Sequence, residues 1–265
     1  MENSNTPVYF TKFAHLNITR TGSGILTVRF TTDNGPIIFT GTDHHEFVEA
    51  YSQIAQDRDN KVVILTGTGD EFFAQIDGPS LGDITNPREW DKMWWEGQQA
   101  LQNLTSIGVP VIAAINGPAT VHSELALTAD IIIASEKAYF QDFVHLTFGI
   151  VPGDGMQTVW ARAIGEYRNK YFHYTQQKIT AIEAKTLGLV AEILPDNEAL
   201  INRANELAEK LLTIPELTRR HMRTMFVAPL RKALLEEVGY GLAISGITAT
   251  DLKIATEEKA KGNNA

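Results

Sequence analysis

The chain has 265 residues, 43% of them hydrophobic and 21% charged, enough for one large globular unit with a full core. A net charge of −9, from 23 basic and 32 acidic residues, argues against a nucleic-acid surface, which needs clustered basic residues. The nearest basic run, Arg219-Arg220-His221-Met222-Arg223, reads as a solvated helix face. The absence of cysteine excludes disulfides, thiolate metal sites and a Cys nucleophile.

The N-terminal stretch reads as a loose polar arm over residues 1–14, with neither the basic start nor the apolar core of a signal peptide. No run approaches the roughly 18 apolar residues of a membrane span, so no membrane partner and a cytoplasmic location are expected. Asn17–Thr21 and Ile25–Phe30 predict two strands around a Gly22-Ser23-Gly24 turn, followed by a short strand Ile37–Thr40. Asp43, with Glu46 three residues on, predicts a helix start, and that helix runs to about Asp57. Lys61–Gly67 is a strand apolar enough to be buried on both faces. A loop follows over Thr68–Arg88, long enough to hold function or short local structure.

A helix is predicted over Glu89–Ile107, then a strand Val111–Ile115, a helix from about His122, and a strand Ile131–Ala134. Alternating strand and helix predicts a parallel sheet. Beyond Asp154 helices dominate: Gly155–Ile164, Glu166–Tyr174, Ile182–Leu187, Glu198–Leu212, Pro215–Phe226 and Pro229–Glu258, broken by a strand Val190–Leu194 and ending in a frayed tail. The expectation is an α/β core over residues 1–195 with a helical region over 196–265.

Groups able to move protons follow the strands, where an open sheet leaves its crevice. His145 and Asp154 bracket a loop containing Gly149, Pro152 and Gly153 that can fold back and bring them together. An imidazole held by a carboxylate is a fixed tautomer and a better base; equally, Asp154 suits the N-cap of a helix starting at Gly155. With no Ser or Cys placed as nucleophile, water is the natural object of the base. His122, near a helix start after Asn116-Gly117-Pro118, suits an oxyanion donor or an ordinary loop histidine, and Glu124 suits the first helical turn. One of His44 and His45 is positioned to face a pocket. Trp94 and Trp95 line a pocket or, at helical spacing, a core. A metal site built from His122, Glu124, His145 and Asp154 lacks zinc spacing, so no metal is expected.

The segments Lys61–Asp70, Phe72–Asp77, Pro110–Gly117, Ala129–Ala134 and Gly149–Gly155 resemble the crotonase (enoyl-CoA hydratase/isomerase) superfamily over about Leu16–Lys259. The resemblance implies a spiral of ββα turns with a C-terminal helical trimerisation region, assembled as a homotrimer or a dimer of trimers. It also implies an oxyanion hole from the backbone N–H groups of Ile76 and, after Asn116-Gly117, Val121. The glycine-rich loop of the family is here Pro118-Ala119-Thr120-Val121-His122, its second glutamate is replaced by His145, and Gly78-Pro79-Ser80 lacks the cation that meets coenzyme A phosphates.

With these departures the chain is similar to the 6-oxocamphor hydrolase and β-diketone hydrolase branch. That likeness implies a carbon–carbon bond hydrolase of cyclic or bicyclic 1,3-diketones, with no cofactor. His145, oriented by Asp154, activates water; His122 holds a carbonyl oxygen; and the enolate is protonated by the His145 imidazolium. Phe39, His44, Ile76, Val121 and Trp94 are the expected substrate contacts, and Ser245 stands where the branch carries a carboxylate. The alternatives are an acyl-CoA hydratase or isomerase using Glu124, and a non-enzymatic RNA or scaffold partner, which the acidic charge disfavours.

Overall fold

A computed structural model describes residues 6–262, with side chains through residue 254. Residues 1–5 and 263–265, parts of the expected arm and tail, lie outside the described residues. Strands β1 (Leu16–Arg20) and β2 (Ile25–Phe30) form the expected antiparallel hairpin, Leu16 opposite Phe30. Upstream, the expected loose arm is packed: Val8–Phe10 forms a 3-10 turn, Tyr9 and Phe13 are buried, and the Tyr9 hydroxyl donates to Asp57 at 2.8 Å. Two large aromatic side chains offset the ordering of a polar segment.

Strand β3 (Ile38–Phe39) leads into α1 (Gly41–Gln56), whose N-cap is Thr40 and not Asp43. The Thr40 hydroxyl accepts from the Asp43 N–H and the Asp43 carboxylate accepts from the Thr40 N–H, a reciprocal capping box. Strand β4 (Val62–Thr66) is buried along its whole length. The long loop after it contains β5 (Gln75–Ile76), paired parallel with β3, and a 3-10 turn over Gly78–Leu81. Then come α2 (Pro87–Ser106), β6 (Val111–Ile115), α3 (Ser123–Leu127), β7 (Ile131–Ser135), β8 (Tyr139–Phe140) and α4 (Val144–Thr147). The chain continues through α5 (Met156–Ile164), α6 (Glu166–Thr175), β9 (Ile179–Thr180), α7 (Ala181–Thr186), β10 (Glu192–Leu194), α8 (Asn197–Leu212) and α9 (Glu216–Gly262).

The main sheet has the order β1-β2-β4-β6-β7-β10, and every pairing beyond the hairpin is parallel. Successive side chains point to opposite faces. Val63, Leu65, Val111, Ala113 and Ile115 therefore enter the main core. Val62, Ile64, Ile112, Ala114 and Ile133 meet Leu200, Ala204 and Ala208 of α8 on the other face. The α/β class expected from the sequence is the observed one.

Helix α9 corrects the sequence reading, because it passes through Pro229 without stopping. An internal proline costs about 3 kcal/mol, and anchors on both sides of it oppose that cost. Buried Arg223 pairs with Asp130 at 2.9 Å, while the indoles of Trp90 and Trp94 donate to the carbonyls of Leu242 and Gly239, each at 2.8 Å.

The loop carrying Asp154 is pressed onto α9 backbone to backbone. A Cβ on Gly153 would stand 2.1 Å from the Gly241 carbonyl oxygen and 2.3 Å from Ser245 Oγ. Gly153→Ala is expected to lower stability by about 1–3 kcal/mol through overpacking and to shift Asp154, read as a lower urea midpoint with an unchanged m-value.

Candidate active site

The end of β6 is locked to the loop after β4. Asn116 Oδ1 accepts from the Gly67 N–H at 2.9 Å, and its Nδ2 donates to the carbonyls of Gly69 and Glu71 at 2.8 and 2.9 Å. The chain then crosses Phe73, where the N–H groups of Thr120 and Val121 both donate to the Phe73 carbonyl, at 2.9 and 3.1 Å. The Val121 N–H expected in the oxyanion hole is thus already used, which corrects that expectation, although Val121 itself lines the cavity. At β5 the Asp77 N–H bonds the Phe39 carbonyl at 2.8 Å. Adjacent strand N–H groups point to opposite edges, so that of Ile76 faces away from β3.

His122 stands at the N-cap of α3, its ring edge-on to Phe39 and Phe73 with centroids 4.6 and 5.4 Å away. Its Nδ1 lies 2.6 Å from Glu124 Oε1. Glu124 is buried in the first turn of α3, and its second oxygen has no hydrogen-bond partner. Burial raises the Glu124 carboxyl, against the lowering effect of His122. Burial opposes the charge on His122, yet the Glu124 charge and hydrogen bond prevail and raise the imidazole.

His145 sits in the single turn of α4 between two carboxylates. Asp142 Oδ1 is 2.8 Å from its Nδ1, and Asp154 Oδ2 is 3.4 Å from its Nε2. The carboxylate that holds the ring is therefore Asp142, which the sequence analysis did not single out. Asp142 also takes Nδ1 of buried His173 at 3.0 Å. Burial works against a charged His145, but Asp154 and Asp142 outweigh it and lift the imidazole well above its ordinary value. Against burial, His145 and His122 depress Asp154 to about 2, and His145 and His173 hold Asp142 below the usual carboxylate range.

Asp154 meets the start of α5 and His145 at once, although the N-cap of α5 is Gly155 and not the expected Asp154. Oδ1 accepts from the Met156 N–H at 3.3 Å, while Oδ2 faces His145 and lies 3.9 Å from His122 Nδ1. Gly155, in the left-handed region at φ 105°, makes the turn into α5. One donor atom each from His122, Glu124 and Asp154 lies within 4.8 Å of the others; the closest pair, at 2.6 Å, is at hydrogen-bond distance.

His122, His145 and Asp154 form one polar end of a cavity of about 380 Å3, a size suited to a small molecule. The remaining wall is mostly apolar and includes Phe39, Ile76, Ile84, Trp90, Met93 and Leu242. Among the described residues that line it there is no Lys or Arg. His44 lines the cavity and is held by buried Glu96 at 3.3 Å, while His45, mostly exposed, takes the other Glu96 oxygen at 3.0 Å. Trp94 is a correction: its indole is tied to α9, and Trp90 and Met93 of the same helix line the cavity in its place. Ser245 lines the cavity too, but its hydroxyl lies 2.9 and 3.0 Å from the carbonyls of Val151 and Gly241.

The family model for enoyl-CoA hydratase/isomerase matches residues 21–251. The chain belongs to that family, the crotonase superfamily of enzymes. A β-diketone hydrolase from the cyanobacterium Anabaena sp. PCC 7120, solved bound to (S)-3-oxocyclohexyl acetic acid, is 53% identical with a TM-score of 0.93, over 94% of this chain and 99% of that one. A probable mitochondrial enoyl-CoA hydratase of Dictyostelium discoideum is 34% identical over 65% of this chain and 61% of its own. A probable enoyl-CoA hydratase of Mycobacterium bovis is 29% identical over 80% and 78%. The chain spans about 61% of the length of the first curated relatives it matches. No helix among the described residues is long and apolar enough to cross a membrane.

Proposed function

We propose that this chain is a β-diketone hydrolase that cleaves the carbon–carbon bond of a cyclic or bicyclic 1,3-dione by a retro-Claisen reaction. The observation that carries the reading is His145 held between Asp142 and Asp154, beside His122, at the polar end of an apolar cavity. The likeness to the Anabaena enzyme supports it. Among the described residues no Lys or Arg lines the cavity, which disfavours a coenzyme A thioester, whose phosphates call for cations.

The reactive form has a neutral His145. Its Nδ1–H donates to Asp142, which leaves the Nε2 lone pair open beside Asp154. Nε2 takes a proton from water as the hydroxide oxygen bonds to one carbonyl carbon. Asp142 and Asp154 stabilise the imidazolium that forms. The tetrahedral intermediate then breaks the bond to the carbon between the carbonyls. The electron pair leaves as an enolate because the second carbonyl accepts it, with His122 meeting its oxygen.

His145 must be neutral to act, and its partners raise its pKa. The acid limb of kcat/KM is therefore expected above the ordinary imidazole value of about 6.5, with activity lost as pH falls through it. The test of function is a panel of cyclic, bicyclic and linear 1,3-diones, followed by loss of diketone absorbance, with an enoyl-CoA thioester as control. Turnover of cyclic diones with no hydration of the thioester is the expected outcome; the reverse pattern overturns the reading.

A further inference from the structure

The reaction needs an acid as well as a base, because the enolate must gain a proton. Ser245 is a poor source: its hydroxyl is within hydrogen-bond reach of the carbonyls of Val151 and Gly241. His145 is also badly placed, since two carboxylates flank its ring and retain its proton. That leaves His122, whose ring lines the cavity and whose Nε2 has no protein partner among the described residues.

We propose that the His122–Glu124 pair is the acid of the reaction, with Glu124 as the positioning residue that keeps a hydrogen on His122 Nε2. This rests on the retro-Claisen reading above. Glu124 Oε1 and His122 Nδ1 are 2.6 Å apart and share one proton. If that proton sits on nitrogen, Nε2 bears a hydrogen only in the imidazolium, which burial opposes and the Glu124 charge favours. If it sits on oxygen, Nδ1 accepts it, and the neutral ring again bears its hydrogen on Nε2. In both of these forms the cavity is offered an N–H; only a neutral ring with its hydrogen on Nδ1 withholds it. Glu124 favours holding the proton because it is 2% exposed and its other oxygen has no partner.

In the acid step the Nε2–H bond breaks as an O–H bond forms on the enolate oxygen, and Nε2 keeps the electron pair. The shared proton settles on Nδ1, which leaves Glu124 as a carboxylate. The enol released becomes the ketone in water. The new carboxylic acid of the product returns a proton to Nε2, and His145 gives the proton it took from water to solvent. The sum is dione plus water to keto carboxylate plus one proton. Asp142 and Asp154 make His145 the stronger base, while Glu124 makes His122 the renewable acid.

The groups that face the pair are Asp154 and His145 across the cavity, His44 and Phe39 beside it, and Tyr51 of α1 behind Glu124. Two measurements test the proposal. In the resting protein, 15N-edited NMR of His122 should find a hydrogen on Nε2 from pH 6 to 9; a hydrogen on Nδ1 alone overturns the proposal whatever the substrate proves to be. In Glu124→Gln, kcat on the cleaved 1,3-dione should fall by about 10²–10⁴ with KM little changed. The alkaline limb of kcat should also move to lower pH, because His122 loses the charge that raises it. An unchanged kcat with an unmoved limb overturns the proposal. If the wild-type chain cleaves no dione, the functional reading fails and the acid role with it, while the NMR result still decides the tautomer.

Discussion

His145→Ala is expected to lower kcat on a cyclic 1,3-dione by about 10²–10⁴ while leaving KM within a few-fold of wild type. The imidazole lies between two carboxylates with one nitrogen toward the cavity. Binding of an uncharged dione depends mainly on the apolar wall, which the substitution leaves intact. A loss confined to kcat is the mark of an interaction made in the transition state. Removing the ring leaves Asp154 without its strongest cationic partner, so its carboxyl should titrate well above about 2. Asp142 keeps His173. The comparison is made by steady-state kinetics on protein whose fold is verified by circular dichroism, and wild-type turnover would remove His145 from the mechanism.

Asp142→Asn is expected to be nearly as damaging, with a similar loss of about 10²–10⁴ in kcat, although Asp142 touches no substrate. An amide can donate to His145 Nδ1 where the carboxylate only accepts. The ring then carries its hydrogen on Nε2, and the lone pair that takes the water proton is gone. Two signatures separate this from a loss of packing. The acid limb of kcat/KM should move to lower pH, because one of the two charges that raise His145 is removed. The second is protein NMR, which should find the Nε2–H tautomer of His145 in the variant. His173, also bonded to Asp142 and with its Nε2 buried and unpaired, should become less ordered.

The strands that carry the site were legible because their chemistry is local. Val62–Thr66, Val111–Ile115 and Ile131–Ser135 are unbroken apolar runs between turn signals, as strands buried on both faces must be. Tyr139–Phe140 and Ile179–Thr180 were missed because a two-residue strand has no periodicity, and only its partner makes it one. The helix boundary expected at Pro229 failed for a related reason. The proline's cost is local, whereas the contacts of Arg223, Trp90 and Trp94 that oppose it are tertiary. Thr40 displaced Asp43 as N-cap because both belong to one capping box, and the sequence alone does not say which member leads.

At the site, His122, His145 and Asp154 were recognisable as proton-moving groups after strand ends, and the structure does bring them together. Asp142 left a weak signal, an Asp three residues before a His, which becomes an i, i+3 pair only once the turn at Val144–Thr147 forms. Glu96 was hidden for the opposite reason: it lies about 50 residues from the two histidines it holds. The oxyanion role expected of the Val121 N–H depended on where a backbone hydrogen bond goes, and Phe73 takes it. Loss of that donor and gain of the His122 side chain occur at neighbouring positions, which fits a carbonyl oxygen met by imidazole instead of by backbone.

The most direct test of the account is to incubate the wild-type chain with a bicyclic 1,3-dione in water enriched in 18O and weigh the product. The account predicts a ring-opened keto acid with one solvent oxygen fixed in its carboxyl group. Recovery of intact dione, together with hydration of an enoyl-CoA thioester by the same preparation, would contradict it.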